Sequence, residues 1–246
     1  MPSPPSSSPD TPAQAYYPVC LDLGGRRCVV VGGGRVAERK IEGLLECGGR
    51  VTVISPELSD HLRALAAAGT VAWLARPYRR GDLAGAFLVI AATDDRPTQE
   101  QVQREAAAAN LLLNVADVPM LCNFILPATV RRGDLSLTVS TGGRSPALAQ
   151  EIRRRLEGEF GPEWGIYTAL LGMLRPLVLA AGRPHEENKS LFHSLCHACM
   201  IEWIRQRSWD TIEDHFRRVL PQAIPDECLA RMRQLVCPPS PKKDTE

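Results

Sequence analysis

Gly32, Gly34 and Ala37 form a GxGxxA pattern, with Gly33 between them, at the end of the apolar run CVVVGGG. Each small residue has its own use: Gly32 permits a tight turn, Gly34 lets the main chain approach a diphosphate, and Ala37 lets a helix lie close against a sheet. The first helical N–H groups, at Arg35 and Val36, then meet an anion along the helix dipole. That is the chemistry of dinucleotide binding, and the competing reading is a glycine turn with no ligand. The acid that holds the adenosine ribose is expected at the end of the second strand, about 20 residues on. Here VTVIS ends in Ser55-Pro56-Glu57, so the acid is displaced and Ser55 and Pro56 stand at that place. No arginine stands at this strand end to take a 2′-phosphate, which favours NAD over NADP.

A second ligand-facing turn is AATDD, where Thr93 and Asp94 follow the apolar run Phe87 to Ala92. Its alternative is a helix cap, because Asp95 lies just before the Pro97 helix. Asp117 follows another short apolar run, at the sheet edge where ligands bind in open α/β folds. A carboxylate there can act as a base; the bland alternative is a turn residue before Val118-Pro119. Further on, Ser145 reads as an N-cap and Pro146 as the first helical residue, so the Gly142-Gly143 loop presents a helix N-terminus suited to a carboxylate. Arg131, Arg132, Arg144 and Arg153 to Arg155 are candidates for acidic ligands, although solvated surface is favoured for any one of them. His193, Cys196, His197 and Cys199 crowd into LFHSLCHACM. Helical core packing is favoured there over metal or porphyrinoid contact, and no metal ligand is assigned.

The elements that position these residues follow from hydrophobic period. Strands are expected at Cys28 to Gly34, Arg50 to Ser55, Val71 to Ala75, Phe87 to Ala92 and Leu111 to Val115. Helices are expected at Arg35 to Cys47, Glu57 to Ala68 and Pro97 to Ala109. Strands apolar on both faces and alternating with helices predict an α/β fold, a Rossmann-like parallel sheet covered on both sides. After Asp117 the rhythm changes. Phe124 to Val130 and Leu135 to Thr141, joined by RRGD, predict an antiparallel hairpin in a small α+β module, and a C-terminal helical region follows. Its helices are expected at Pro146 to Phe160, Pro162 to Ala181, Glu187 to Gln206, Trp209 to Leu220 and from about Pro225. The expected division is 1–14 leader, 15–117 NAD-binding domain, 118–150 hairpin and dimerisation module, 151–237 helical domain and 238–246 polar tail, with the leader and tail too polar to order themselves.

The 246 residues are 44% hydrophobic and carry 29 basic against 28 acidic side chains, a net charge of +1, so the basic footprint of a nucleic-acid binder is missing. Leu170 to Ala181 is interrupted by Arg175 and Pro176 and is too short to span a bilayer. No secretory signal opens the chain, so its cysteines are expected in a reducing cytoplasm.

The ordered segments YYPVCLDLGGRRCVVVGGGRVAERKIEGLLECGGRVTVISPE, IAATDD, NVADVP, FILPA and VSTGGRSPALA resemble the precorrin-2 dehydrogenase family, the dehydrogenase and chelatase module of siroheme synthase. The resemblance covers roughly residues 16–182. It implies NAD as cofactor, a homodimer built through the hairpin region, and oxidation of precorrin-2 to sirohydrochlorin, with ferrous iron insertion as an added activity of some members. It places the catalytic aspartate in the NxxDxP stretch, matched by Asn114, Asp117 and Pro119. On this reading the cofactor residues are Gly32, Gly33, Gly34, Arg35, Val36, Ala37, Ser55, Pro56, Thr93, Asp94 and Asn114. Substrate contacts fall at Asn123, Thr141, Gly142, Gly143 and Ser145. Thr141 stands where serine is expected in some relatives, which leaves an inherited regulatory role in doubt. The competing functions are a ferrochelatase without dehydrogenase activity and a non-catalytic NAD(H)-sensing dimer. No tyrosine is followed by lysine four positions later, which disfavours short-chain dehydrogenase chemistry, and the length leaves no room for a methyltransferase domain.

Overall fold

The computed structural model describes residues 15–239, so the expected leader and the end of the tail lie outside the described residues. The chain divides into two compact units, residues up to 126 with 142–144, and residues 127–141 with 145 onward. The hairpin therefore clusters with the helical region, which differs from the three-part division expected at 117 and 150.

The first unit is built from β1 (Arg27–Val31), α1 (Arg35–Glu46), β2 (Arg50–Ile54), α2 (Asp60–Ala67), β3 (Ala72–Leu74), β4 (Leu88–Ala91), α3 (Arg96–Ala108) and β5 (Leu112–Val115), closed by a 3-10 turn at Pro119–Leu121. The strands form one parallel sheet in the order β3-β2-β1-β4-β5. The chain first grows to one side of β1 and then returns to the other, so the order reverses between β1 and β4, where open α/β sheets hold ligands. Register brings the strand ends level: Val31 pairs with Ile54 on one side and Ala91 on the other, and Ala91 pairs with Val115. One apolar cluster, including Cys28, Val30, Ile41, Val53 and Leu62, fills one face of the sheet. Val29, Val31, Ile54, Val89, Val102 and Leu113 belong to the cluster on the other. Alternate residues of β1 thus serve opposite cores, which is why its sequence is apolar throughout. Helix α2 begins at Asp60, later than the expected Glu57, because the Ser59 hydroxyl caps it by accepting from the Leu62 N–H at 3.4 Å.

The second unit holds the antiparallel pair β6 (Ala128–Arg132) and β7 (Leu135–Val139), then α4 (Pro146–Glu159), α5 (Glu163–Ala180), α6 (His185–Leu195), α7 (Met200–Arg205), α8 (Trp209–Val219) and α9 (Asp226–Val236). Arg132 ties hairpin to helix: its guanidinium donates to the carbonyls of Phe160 at 2.7 Å and Glu157 at 3.1 Å, at the end of α4. Leu170, Leu174, Leu195, Met200, Ile212, Phe216 and Met232 centre the helical core. No helix among the described residues is long and apolar enough to cross a membrane.

The helix expected over Glu187 to Gln206 is broken at Cys196–Cys199. Tyr167 accounts for the break: its hydroxyl accepts from the His197 N–H at 3.0 Å and faces the Leu195 carbonyl at 3.4 Å, taking over main-chain groups that a continuous helix would pair internally. Burial pushes the Tyr167 phenol up to about 12, so it stays protonated. The His197 ring stacks on Trp203 at 4.4 Å and meets His215 edge-on at 5.0 Å.

His215 is buried, and burial lowers its pKa below the ordinary 6.5, with the neighbouring His197 and Arg218 acting in the same direction against its contact with the Leu195 carbonyl. The unfolded chain therefore takes up a proton that the folded imidazole refuses. This contribution to stability is complete above the ordinary histidine range and declines as pH falls through and below it. Urea midpoints are expected to drop between about pH 7.5 and 5, with a flatter profile in His215→Phe. An equal decline in that variant would remove His215 as the cause.

Candidate functional site

A cleft of about 810 Å³ opens at the carboxyl edge of the sheet, lined from the ends of β1, β2, β4 and β5. The three glycines meet different demands there. Gly32 has φ +121, and a Cβ on it would lie 2.2 Å from the Ala92 carbonyl oxygen. A Cβ on Gly33 would lie 2.1 Å from the Glu57 carbonyl oxygen, and the Gly33 carbonyl accepts from the Ser59 N–H at 2.8 Å. Both glycines are fixed by the protein's own packing. Gly34, the N-cap of α1, has ordinary extended dihedrals, and a Cβ on it would meet nothing within 4 Å. No side chain caps this helix. The N–H groups of its first turn are thus left to a ligand, beside a main chain stripped of side-chain bulk on the open side. That arrangement fits the diphosphate of a dinucleotide.

Of the residues expected to hold the cofactor, Gly32, Gly33, Gly34, Arg35, Val36, Ser55, Thr93 and Asp94 line this cleft. Ala37 is fully buried beneath the helix, as close helix–sheet packing requires. Pro56 is exposed beside the lining residues Ser55 and Glu57. Ser55 is held by its carbonyl, which accepts from Trp73 Nε1 at 2.9 Å. Asp95 caps α3 by accepting from the Thr98 N–H at 3.0 Å, and Gln99 Nε2 donates to the Thr93 carbonyl at 2.6 Å. The Thr93-Asp94 turn is thereby fixed from its far side. Asn114 is directed elsewhere: its amide donates to the Phe124 carbonyl at 3.1 Å, and it is absent from the cleft lining.

Asp117 lines the same cleft, exposed, one residue past the end of the β5 continuation, where the Ala116 N–H still bonds the Ala91 carbonyl at 2.8 Å. Its φ is +61, a left-handed conformation that few side-chain-bearing residues adopt. Lys40 on α1 is half-buried; burial and the charge of Arg39 lower its pKa, while Asp117 and Cys122 act to raise it. Lys40 was not singled out from sequence, and only the fold brings it within electrostatic reach of Asp117. Arg96 and Gln99 also line the cleft without having been foreseen. Their signal was available, since both belong to the helix that follows the AATDD strand.

Asn123 uses both ends of its amide on main chain, accepting from the Leu113 N–H at 2.8 Å and donating to the Leu111 carbonyl at 2.7 Å. In the second unit the Thr141 hydroxyl accepts from the Ser145 N–H at 3.0 Å, and the Ser145 hydroxyl caps α4 by accepting from the Leu148 N–H at 3.2 Å. Gly142 and Gly143 take left-handed φ values of +61 and +80 and are exposed. Arg153, Arg154 and Arg155 pair with Glu157 and Glu151 along α4. Of the LFHSLCHACM residues, His193 lies in the last turn of α6, Cys196 and Cys199 are exposed at the helix break, and His197 packs on Trp203. The one group among the described residues that brings three metal-ligand atoms within 4.8 Å of one another is Glu38, Glu42 and His61, which nothing in their sequence spacing announced.

Residues 19–128 match the family described as putative NAD(P)-binding, and residues 132–159 match the sirohaem biosynthesis protein central domain. Siroheme synthase 1 of Aeromonas salmonicida is 38% identical over 183 residues, 74% of this chain and 39% of its own length. The siroheme synthase of Methylobacillus flagellatus is 43% identical over 161 residues, 65% of this chain and 34% of its own. The chain thus spans little more than a third of the curated relatives it matches. Among solved structures, the precorrin-2 dehydrogenase SirC superposes with a TM-score of 0.70 at 28% identity, covering 83% of this chain and 98% of that one.

Proposed function

We propose that this chain, a member of the precorrin-2 dehydrogenase family of siroheme-synthesis proteins, performs the NAD-dependent oxidation of precorrin-2 to sirohydrochlorin. The observation that carries the reading is the sharing of one cleft by the glycine turn and Asp117, a dinucleotide cradle and an exposed carboxylate. Bound NAD supplies the hydride acceptor. The chain's own residues do the rest. Gly34 and the first turn of α1 receive the diphosphate, Ser55 and Glu57 border the ribose end, and the Thr93-Asp94 turn shapes the wall over β4. Loss of a hydride from the reduced macrocycle leaves a carbon-bound or nitrogen-bound proton to be removed, and the Asp117 carboxylate takes it. The balance is precorrin-2 and NAD⁺ giving sirohydrochlorin, NADH and a proton. Glu57, two residues after Ser55, also lines the cleft, and a carboxylate on that wall disfavours the 2′-phosphate of NADP, which supports NAD as the preferred cofactor.

The deciding experiment is anaerobic incubation with precorrin-2, with and without NAD, following NADH and sirohydrochlorin by absorbance, and then addition of ferrous iron. NAD-dependent formation of sirohydrochlorin supports the reading. NAD binding without turnover overturns it in favour of an NAD(H)-sensing protein, and siroheme formed only from supplied sirohydrochlorin overturns it in favour of a chelatase.

Homodimerisation through the second unit belongs to the same reading. Leu148 and Ile152 stand 52% and 36% exposed one turn apart on α4, and the hairpin is a sheet of only two strands, a form rarely stable unsupported. Sedimentation equilibrium is expected to give twice the chain mass, and Leu148→Glu with Ile152→Glu to give the monomer; a wild-type monomer would refute the assignment.

A further inference from the structure

Strand β5 is the edge of its sheet, paired only with β4, so the main-chain groups of Leu111, Leu113 and Val115 face away from any strand. The segment beyond Asp117 folds back and covers them. Asn123 accepts from the Leu113 N–H at 2.8 Å and donates from its amide to the Leu111 carbonyl at 2.7 Å, while its own N–H donates to the Leu113 carbonyl at 3.1 Å. Next along the edge, Cys122 Sγ accepts from the Val115 N–H at 3.1 Å and faces the carbonyl oxygens of Val115 at 3.3 Å and Val118 at 3.5 Å. The Asn114 amide lies 3.7 Å from the same sulfur and donates to the Phe124 carbonyl at 3.1 Å. Side chains have replaced the missing strand, and the loop they pinch off carries Asp117 in its left-handed conformation.

We infer that Asn114, Cys122 and Asn123 are positioning residues for Asp117, holding the turn that aims its carboxylate into the cleft. This rests on the reading of Asp117 as the base, and it gives both asparagines a role other than ligand contact. Asn123 fixes the strand edge and Asn114 the return of the chain. The sulfur bonds both ends of the turn, to Val115 before Asp117 and Val118 after it. A thiol suits this place because it donates and accepts weakly over long distances, where a hydroxyl would have to move closer to do the same.

The test uses the full chain with Cys122→Ala, Cys122→Ser and Asn123→Ala, each also combined with Asp117→Asn. Turnover and KM are measured with NAD and precorrin-2, and amide hydrogen exchange is followed across residues 113–121. Cys122→Ala and Asn123→Ala are expected to speed exchange in this segment and to lower kcat about tenfold, with KM for NAD within about twofold. Cys122→Ser is expected to recover most of the rate, and none of the three should lower it further once Asp117 is asparagine. Unchanged exchange overturns the inference. So does raised KM with kcat intact, which would make the asparagines ligand contacts, or faster exchange with full turnover while Asp117→Asn is inactive. Full turnover in Asp117→Asn itself would instead sink the role of Asp117 as base and the positioning role with it, while exchange would still report whether these side chains hold the turn.

Discussion

Replacing Asp117 by asparagine is expected to lower the rate of NAD-dependent precorrin-2 oxidation by about 10²–10⁴-fold, the range over which a positioned general base acts. The substitution is well matched to its site. Asparagine is among the residues that best tolerate φ near +60, so the turn at φ +61 keeps its shape. The carboxylate is exposed, and the charge it loses is one that acts on half-buried Lys40. What disappears is the ability to take a proton. NAD affinity measured by calorimetry is expected to stay within about twofold, since in the proposed pose the diphosphate meets the main chain of the glycine turn and not Asp117. Turnover within tenfold of wild type, read as NADH absorbance, would remove Asp117 from the chemistry.

The second large effect separates Gly34 from Gly32, two positions before it. Gly34→Asp is expected to abolish measurable NAD binding, a loss of at least about a hundredfold or about 2.7 kcal/mol. Aspartate is a favoured N-cap residue, and a Cβ at Gly34 meets open space, so the substituted carboxylate can accept from the free N–H groups of α1 and raise stability by roughly a few tenths of a kcal/mol. It does so by occupying the donors that the diphosphate needs, with charge of the same sign. Gly32→Ala fails differently. Its methyl would stand 2.2 Å from the Ala92 oxygen at a φ of +121, so β1 and β4 must part, and about 1–3 kcal/mol of stability is lost before any ligand is considered. Thermal unfolding should move in opposite senses in the two variants. Normal NAD affinity in Gly34→Asp would displace the cofactor from this turn.

Much of the first unit was legible because local pattern and tertiary need coincide. β1 is apolar at every position beyond Arg27 because it is covered on both faces, and the glycines that follow it are read equally well as turn formers and as ligand cradle. The broken helix at Cys196–Cys199 was not legible. Nothing in CHAC interrupts a helix; the Tyr167 hydroxyl, far away in sequence, accepts the His197 N–H and ends it. The asparagines show a different limit. Sequence identifies Asn114 and Asn123 as polar residues near a site but carries no sign of direction, and both turn toward main chain. Lys40 was invisible for the same reason, since only the fold brings it within electrostatic reach of Asp117.

The unequal footing of the three glycines also bears on descent. Gly32 and Gly33 are demanded by the chain's own carbonyls, so they would persist in any descendant that still folds this sheet, whether or not it binds a dinucleotide. At Gly34 no atom among the described residues stands within 4 Å of where a Cβ would lie, so packing makes no demand for glycine there. Once a lineage ceased to use the cofactor, drift would reach this position first, and a capping residue there would be rewarded with stability. On the proposed pose, a glycine at 34 is therefore a record of ligand use written into the chain, and its replacement by Ser, Asp or Asn in a relative with an intact Gly32-Gly33 pair would mark a member that has left the chemistry behind while keeping the architecture.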